Sequence, residues 1–385
     1  MANSVSKNVL LGPGAKLGML GAGQLGRMFA IAAGQLGYHV HVFSPRVDSP
    51  TGQVSHRETV ADYGDTAALT AFAKSVDAVT LEFENIPISA IETVEQFAPV
   101  RPSGAVLHTT QNRLREKQFL TAAGIACAPY AEVNSHAELE TAINELGLPA
   151  VLKTADSGYD GKGQITIRSA DESAAAWEHV AQQPSVLEGW VDYSHELSVL
   201  VARSTNGEIA TCGPIANDHA NHILDVSRFP ADDLSDVAKD AEEIGCTIAE
   251  QLDLVGLCCV EMFLTRAGTL VVNEIAPRPH NSGHLTIEAC DISQFEQQVR
   301  AICGLPLGSM TSRTPAAMVN LLGDLWHAGE PPWLEMLAVS QGHLHLYGKT
   351  EAKPGRKMGH FTVLGESADA AALVALEARR RLLKH

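Results

Sequence analysis

The stretch VEMFLTRAGTLVVNEIAPRPHNSGH, residues 260–284, holds two short apolar runs on either side of a Thr-Arg-Ala-Gly break. This pattern predicts a β-hairpin with its turn at Ala267-Gly268, which would set Glu261 opposite Glu274. Like charges directly opposite each other on a sheet repel, and ionised carboxylates on apolar strands are costly, so the pair predicts a bound cation. Mg²⁺ is the expected ion because it binds one or two carboxylates together with substrate phosphates. An edge hairpin with both glutamates in water is the alternative.

A polar loop punctuated by prolines follows the second run of this hairpin. The polar side chains at the end of the hairpin and in the loop are Asn273, Arg278, His280, Asn281, Ser282 and His284. Such a density of polar groups after a strand favours a functional site over a solvated hairpin.

The composition indicates an acidic chain with several domains. Its 385 residues are enough for two or three domains, and the formal net charge of -17 argues against nucleic acid or an anionic membrane as a main partner. A small anionic substrate in a local basic pocket remains compatible with that charge. The seven cysteines show no CxxC spacing, which predicts neither a disulfide framework nor a zinc site and favours a reducing cytoplasm. With no apolar run of membrane-spanning length and no signal-peptide pattern, we expect a soluble protein with a loose leader at residues 1–15.

Strands and helices alternate in the N-terminal part, which predicts a parallel, doubly wound sheet. Gly21, Gly23 and Gly26 match the fingerprint GxGxxG, in which backbone approaches phosphate at a helix N-terminus. The acidic residue that NAD requires after the second strand is missing, because Ser44-Pro45-Arg46 stand there. We therefore expect another phosphate ligand, or only a tight turn with close helix packing.

Two glutamates follow a later strand of the same part. Glu82 and Glu84 lie at its carboxyl end, where open α/β sheets bind ligands, and they could hydrogen-bond a sugar or an amine. A solvated strand end is the alternative.

The densest glycine loop of the chain is KTADSGYDGKGQ, residues 153–164, with strands predicted on both sides. Its glycines and lysine predict a mobile cover whose amides surround phosphates. The spacing is not that of a Walker loop, and a strand-loop-strand cover is closer to the way kinases enclose a nucleotide. A plain hairpin tip is the alternative.

Cations cluster near the C-terminal end. Lys349, Arg356, Lys357 and His360 lie in and beside segment 348–359 of an otherwise acidic chain. Cations held together repel unless they face an anion, so this cluster predicts a phosphate site, with a solvated face as the alternative.

In this order, the motifs resemble those of the ATP-grasp ligases, and more closely those of the 5-(carboxyamino)imidazole ribonucleotide synthase family. The resemblance is carried by GAGQLGRM at 21–28, EFEN at 82–85, GYDGKGQ at 158–164, NEIAPRPHNSGH at 273–284, YGK at 347–349 and RKMGH at 356–360. It implies an α/β chain with α+β character in its later domains. The implied domains are an N-terminal Rossmann-like parallel-sheet domain (1–116), a small lid domain (117–190) and a C-terminal ATP-grasp domain (191–385) that includes a small β-rich part at about 316–385.

The resemblance also implies that ATP and Mg²⁺ bind between the lid domain and the C-terminal domain. Arg113 and Lys153 would contact the phosphates, and Glu261 and Glu274 would bind Mg²⁺. The residues implied to fold over the phosphates are Gly158, Tyr159, Asp160, Gly161, Lys162, Gly163 and Gln164. Those implied around the adenine and ribose are Glu188, Gly189, Trp190, Val191, Glu196, His219 and Asn273.

The implied second substrate is 5-aminoimidazole ribonucleotide, with its phosphate on Lys349 and Arg356. Its other implied contacts are Gln24, Leu25, Glu82 and Ser282, and the groups implied around the reacting centre are Tyr159, Asp160, Arg278, His280 and Asn281. Bicarbonate would attack the γ-phosphate of ATP to give carboxyphosphate and ADP. The exocyclic amine would then be carboxylated, directly or through CO₂, in purine (IMP) biosynthesis. The family further implies a homodimer.

The sequence departs from the family pattern in a few places. Ala155-Asp156-Ser157 stand where arginine and glycine are usual, Ala216 replaces a glutamate before Asn217, and His222 replaces a glycine. The alternatives are an ATP-grasp enzyme with other substrates (a formate-using glycinamide ribonucleotide transformylase or a carboxylate–amine ligase), an NAD-dependent dehydrogenase, and a non-catalytic nucleotide-binding regulator. The presence of both Glu261 and Glu274 argues against the regulator.

Overall fold

The computed structural model describes residues 10–156 and 163–384, and within these ranges the strands form three sheets. The N-terminal sheet is parallel with strand order β3-β2-β1-β4. Its strands are β1 (Lys16–Leu20), β2 (His39–Ser44), β3 (Arg57–Val60) and β4 (Ala78–Leu81), and its helices are α1 (Gln24–Gln35), α2 (Thr66–Ala73), α3 (Ile88–Glu95) and α4 (Gly104–Thr110). Nearly every residue of β1, β2 and β4 is buried, as expected of parallel strands covered on both faces. The predicted doubly wound sheet is confirmed.

The second sheet is antiparallel, with strand order β5-β8-β6-β7. Helix α5 (Arg113–Ala122) precedes it, and its elements are β5 (Tyr130–Val133), α6 (His136–Leu146), β6 (Ala150–Thr154), β7 (Gln164–Ile167), α7 (Ser173–His179) and β8 (Ser185–Gly189). Asn112 caps α5 by accepting the Arg115 N–H, and Ser135 caps α6 in the same way. The predicted division at residues 116 and 117 falls inside α5, and the division into three domains stays a prediction.

The third sheet is antiparallel, with strand order β13-β12-β9-β10-β11-β14-β16-β15. Its strands are β9 (Tyr193–Arg203), β10 (Ile209–Ala220), β11 (Ile223–Phe229), β12 (Gly256–Thr265), β13 (Leu270–Ala276), β14 (Ala316–Leu322), β15 (Gly342–Leu346) and β16 (Lys357–Leu364). The helices of this part are α8 (Ala238–Gln251), α9 (Thr286–Ala289), α10 (Gln294–Cys303), α11 (Leu334–Leu337) and α12 (Ala368–Arg381).

Helix α8 is preceded by a short 3-10 turn over Asp232–Val237. Aspartate and serine are weak helix formers, and this turn is rich in them. Among the described residues, no helix has both the length and the apolar character that crossing a membrane requires.

The N-terminal sheet docks onto the eight-stranded sheet through two helices. Leu25 and Phe29 of α1 pack against Phe295 and Val299 of α10 in one buried cluster. This packing brings the carboxyl end of β4 next to the loop after β13, so residues from both parts of the chain line the same site.

Candidate active site

The hairpin quoted at the start of the sequence analysis is present as β12 and β13. Glu261 pairs directly with Glu274, as predicted, and the register shifts immediately afterwards, so that Met262 pairs with Val272. Asn273 is therefore the extra residue of a β-bulge, which leaves its backbone groups and those beside it outside the regular ladder.

Two consecutive residues of α5 satisfy the backbone around this bulge. Lys117 Nζ donates to the Asn273 carbonyl (3.1 Å), and Glu116 Oε2 accepts the Ile275 N–H (2.9 Å). Both side chains are buried. Burial raises the pKa of Glu116 to about 8, although Lys117 beside it acts in the opposite direction. No sequence pattern predicted a site role for either residue; a charged pair near the start of α5 is their only signal.

The predicted phosphate contacts form a buried cluster with α5. Lys153 Nζ donates to Glu188 Oε2 (2.8 Å), Lys117 Nζ lies 3.5 Å from Glu188 Oε1, and Arg113 Nη1 lies 3.5 Å from Glu274 Oε2. Burial on its own raises the pKa of Glu188, but the neighbouring Lys153 and Lys117 lower it to about 2. This group of cations suits a ligand that brings negative charge.

Glu261 contacts the histidine of the polar loop, because His280 Nε2 lies 2.8 Å from Glu261 Oε1. Burial alone raises the pKa of Glu261, but His280, His219 and Lys357 lower it to about 2. An ionised carboxylate at this position fits a divalent cation. Among the described residues, no group of three or more His, Cys, Asp or Glu side chains could hold a metal unaided. Glu261 and Glu274 would therefore hold Mg²⁺ only together with phosphate oxygens, as the sequence predicted.

The predicted ribose contact, Glu196, forms a short network beside the hairpin. Glu196 Oε2 lies 2.6 Å from His219 Nδ1, and the Tyr193 hydroxyl donates to Glu196 Oε1 (2.7 Å). The Tyr193 ring stacks on Phe263, with 4.5 Å between ring centroids. A small cleft is lined by Glu196, Leu197, Asn217, His219, Glu261, Met262, Phe263 and Asn273. Predicted site residues that are distant in sequence therefore meet at one place.

The predicted adenine segment is the end of β8 and the residues after it. Glu188 and Gly189 close β8, whereas the Trp190 side chain is 52% exposed. The Gly189 N–H donates to the Pro129 carbonyl (2.8 Å). Adenine contact by Gly189, Trp190 and Val191 stays a prediction.

Arg278 joins the two halves of the site. Its Nε and Nη2 donate to the two carboxylate oxygens of Glu84, at 2.5 and 3.0 Å, in a bidentate pair. Burial alone raises the pKa of Glu84, but Arg278 outweighs that effect and lowers it below its usual value. Glu84 follows β4 and Arg278 follows β13, so this pair fixes the N-terminal part against the hairpin loop.

Asn281 and Ser282 have contrasting surroundings. Both side-chain polar atoms of Asn281 are buried without a hydrogen-bond partner among the described residues. The Ser282 hydroxyl is fully buried and lies 2.7 Å from the Ser198 hydroxyl and 2.9 Å from His280 Nδ1. Ser282 is thus placed behind His280, and its contact with a substrate stays a prediction.

The glycine turn before α1 is filled by a side chain of its own sheet. The amides of Gly23 and Gly26 donate to the two oxygens of Glu82, the second at 2.9 Å. A Cβ at Gly21 or Gly23 would collide with this carboxylate, and Gly21 has φ of +101°. The glycines therefore make room for Glu82, and the anion position at this helix N-terminus is taken by a carboxylate. Gln24 is partly buried, whereas the side chain of Leu25 packs in the core.

The predicted cationic cluster is only partly present. Burial and the nearby Arg356 lower the pKa of Lys349 to about 8, and Glu82, Lys357 and Arg46 also act on it. The prediction was wrong for His360, which lies on β16, is fully buried and has a pKa well below its usual value because of that burial. Arg46, which stands where NAD binding requires an acid, is an additional cation that sequence reasoning did not assign to this group.

Part of the predicted lid can be located. Gly163 and Gln164 enter β7, and the Gly163 carbonyl accepts the Thr154 N–H (2.8 Å). The predictions for Gly158, Tyr159, Asp160, Gly161 and Lys162 lie outside the described residues.

Known protein families match the chain in three consecutive blocks. Residues 14–111 match the ribonucleotide synthetase preATP-grasp domain, residues 118–295 the ATP-grasp domain, and residues 316–373 the C-terminal domain of phosphoribosylaminoimidazole carboxylase. The chain is 46% identical over 369 residues to the N5-carboxyaminoimidazole ribonucleotide synthase of Bacillus subtilis (strain 168), with 95% of each chain covered.

Solved structures agree with this assignment. An ADP complex of N5-carboxyaminoimidazole ribonucleotide synthetase superimposes with a TM-score of 0.92 at 40% identity, covering 98% of this chain and 100% of that one. The N5-carboxyaminoimidazole synthase from Aspergillus clavatus, in complex with ADP and 5-aminoimidazole ribonucleotide, gives 0.88 at 32% identity, covering 96% and 99%. The chain belongs to the family of N5-carboxyaminoimidazole ribonucleotide synthases, which are ATP-grasp enzymes.

Proposed function

We propose that the protein uses ATP and bicarbonate to carboxylate 5-aminoimidazole ribonucleotide to its N5-carboxyamino product in purine biosynthesis. The observation that carries this proposal is the bidentate Arg278–Glu84 pair. It joins the loop after the glutamate hairpin to the end of the N-terminal sheet, so that a nucleotide site and a second anion site lie on either side of it.

ATP binds between the antiparallel sheet of residues 130–189 and the hairpin. Lys153 and Arg113 hold its phosphates, Glu196 and His219 bind the ribose, and Gly163 and Gln164 belong to the cover. Glu261 and Glu274 would hold Mg²⁺, which would neutralise negative charge on the transferred phosphoryl group. The two glutamates repel each other across the bulged hairpin, and a cation between them removes this repulsion.

The ribonucleotide binds against the N-terminal sheet. Lys349 and Arg356 take its phosphate, since Lys349 is held near Arg356 and Arg46 in a group of mutually repelling cations. Glu82 is close enough to Lys349 to act on its pKa, which supports a contact of Glu82 with the amino-imidazole or the sugar. Gln24 borders this position at the start of α1.

The reaction proceeds in two steps. A bicarbonate oxygen attacks the γ-phosphorus of ATP, the bond to the β-phosphate oxygen breaks, and ADP leaves. The exocyclic amine then attacks the carboxyl carbon, phosphate departs, and the amine loses one proton. Arg278 stabilises the negative charge that develops on the transferred group, and the lack of a hydrogen-bond partner for the Asn281 amide among the described residues supports a contact of Asn281 with a carboxyl oxygen.

The reactive phosphate intermediate must be shielded from water. The predicted cover at residues 158–164 would provide this shield, and His280 closes the other side through its bond to Glu261. We further propose a homodimer in the cytoplasm, from the family pattern and the cysteine usage.

The test is ADP release with Mg²⁺, bicarbonate and aminoimidazole ribonucleotide, each omitted in turn. We expect ADP formation to depend on the ribonucleotide. The matched comparison replaces both substrates with formate and glycinamide ribonucleotide. ADP formation that ignores aminoimidazole ribonucleotide, or that requires the formate pair, would contradict the proposed function.

A further inference from the structure

A continuous line of hydrogen bonds crosses three neighbouring strands of the eight-stranded sheet and ends at Glu261. Ser227 Oγ donates to Asn217 Oδ1 (2.8 Å), and Asn217 Nδ2 donates to Ser198 Oγ (3.0 Å). The line continues from Ser198 to Ser282 (2.7 Å), to His280 Nδ1 (2.9 Å), and from His280 Nε2 to Glu261 (2.8 Å). We call the members Ser227, Asn217, Ser198, Ser282 and His280 the polar line.

Burying the polar line costs free energy, so a function that offsets this cost is expected. Ser198, Ser227 and Ser282 are 0% exposed, and Asn217 is 7% exposed. Buried polar groups of this kind stabilise a fold little more than well-packed apolar side chains would, and they are expensive if any one of them is left unpaired. Their advantage is that they fix orientation.

The line has a defined direction. The Ser282 N–H donates to His280 Nδ1 (3.3 Å), which makes this nitrogen an acceptor. The Ser282 hydroxyl then donates to the same nitrogen, and the Ser198 hydroxyl donates to Ser282. At the other end, Asn217 supplies an N–H to Ser198. The donor direction fixed at Asn217 therefore agrees with the one fixed at His280. The His280 proton lies on Nε2, which donates it to Glu261.

We propose that Ser198, Asn217 and Ser227 are positioning residues, which hold the His280 imidazole with its Nε2–H on Glu261 so that Glu261 keeps one orientation toward Mg²⁺. The inference rests on the proposed function of Glu261. Groups that orient a metal ligand in this way typically contribute about 10- to 100-fold to metal affinity.

Two variants interrupt the line in different ways. Ser198→Ala removes its central link. Asn217→Asp keeps the side-chain shape but replaces the only donor with an acceptor, so that Ser198 must donate toward position 217. The Ser282 N–H still holds His280 Nδ1 as an acceptor, so Ser282 continues to donate to that nitrogen and the Ser198–Ser282 hydrogen bond is lost. The matched control is Ser204→Ala, because Ser204 is also 0% exposed in this part of the chain but bonds the Leu305 carbonyl, away from the line.

The measurement is ADP affinity by titration calorimetry, once with Mg²⁺ and once with EDTA, together with the melting temperature. For Ser198→Ala and Asn217→Asp we expect the gain in ADP affinity from Mg²⁺ to fall about 10-fold. The affinity in EDTA should be unchanged for Ser198→Ala, whereas Asn217→Asp adds a negative charge to the cleft and should lower it in both conditions. Ser204→Ala should keep the full gain. The inference is overturned if the gain in both variants equals that of Ser204→Ala, even if their melting temperatures fall.

The same data separate this inference from the proposed function, because ADP binding needs neither bicarbonate nor the ribonucleotide. A wild-type protein that gains no ADP affinity from Mg²⁺ would remove the metal role of Glu261 and the inference with it. A wild-type gain that survives both variants would remove the inference alone.

Discussion

Two places in this molecule gather donors that suit an anion, and they differ in what occupies them. At the N-terminus of α1, the amides of Gly23 and Gly26 converge on the carboxylate of Glu82. At the hairpin, Arg113, Lys117 and Lys153 surround Glu188 and Glu274, and Glu261 lies opposite Glu274. The first anion position is filled from within the sheet, and the second needs a ligand to complete it.

The difference shows why a glycine pattern alone does not identify a nucleotide site. The GxGxxG turn forms as the sequence predicts, but its glycines accommodate an internal carboxylate. The two places differ in whether the protein itself fills the converging donors: backbone amides are filled by Glu82 at α1, whereas charged side chains gather at the hairpin. The following predictions test or refine that distinction.

The largest expected effect separates the two sites directly. Glu274→Gln removes a carboxylate proposed to bind Mg²⁺, so we expect turnover to fall by about 100-fold or more. Folding stability should change little, because the substitution also relieves the repulsion from Glu261. Turnover is measured as ADP release and stability by urea unfolding.

The matched variant at the other site is Glu82→Gln, which should leave the affinity for ADP with Mg²⁺ unchanged and raise the KM for aminoimidazole ribonucleotide. A loss of ADP affinity in Glu82→Gln, with none in Glu274→Gln, would reverse the assignment of the two sites.

A second prediction concerns the pair that joins the two sites. Glu84→Gln releases Arg278, and we expect turnover to fall about 10-fold with a stability loss of about 1–3 kcal/mol. The control is Asp225→Asn, since Asp225 also forms a bidentate pair, in which Arg379 Nη1 and Nη2 donate to its two oxygens at 2.5 and 3.0 Å. Asp225→Asn should lower the free energy of unfolding and leave kcat unchanged. Equal kcat values for the two variants would argue against a functional role for the Arg278–Glu84 pair.

A third prediction tests the support of the hairpin bulge by Glu116. Its pKa is raised to about 8, so between its ordinary value of 4.5 and about 8 the folded protein binds the proton that the unfolded chain has released. The contribution of Glu116 to the free energy of unfolding is fully present below pH 4.5 and is lost as the pH rises through about 8.

Stability should therefore fall with rising pH in this window, by up to about 1.4 kcal/mol per pH unit for this one group. Glu116→Gln should remove that slope, as measured by urea unfolding at several pH values. An unchanged slope would mean that Glu116 is ionised in the folded protein.

The smallest expected effect concerns the phosphate of the ribonucleotide. Because the pKa of Lys349 is lowered to about 8, its charge is lost as the pH rises through that value. The KM for aminoimidazole ribonucleotide should rise about fivefold between about pH 7.5 and about pH 9. Lys349→Arg should remove most of this rise, because arginine keeps its charge. A KM that rises equally in both proteins would assign the titration to another group.

Several features could be predicted from sequence because they depend on local patterns. The hairpin followed from two apolar runs and a glycine turn, and the register of Glu261 and Glu274 followed from the turn position. The parallel N-terminal sheet followed from the alternation of strands and helices. The motif order pointed to the ATP-grasp family, and the comparisons confirm that assignment.

Other features depend on contacts between distant residues, which a local pattern does not contain. Glu116 and Lys117 meet the bulge across more than 150 positions of sequence. His360 carries a residue type that suits a cationic cluster, but its burial on β16 lowers its pKa. The polar line joins residues from three strands and a loop, and neither Ser198 nor Ser227 has a distinctive sequence context.

The most direct test of the distinction between the two anion sites is a crystal structure with ADP and Mg²⁺ bound. We expect the phosphates on Lys153 and Arg113, Mg²⁺ on Glu261 and Glu274, and the bonds from Gly23 and Gly26 to Glu82 retained. A nucleotide phosphate on the Gly21–Gly26 turn with Glu82 displaced, or Mg²⁺ bound away from both hairpin glutamates, would contradict the account.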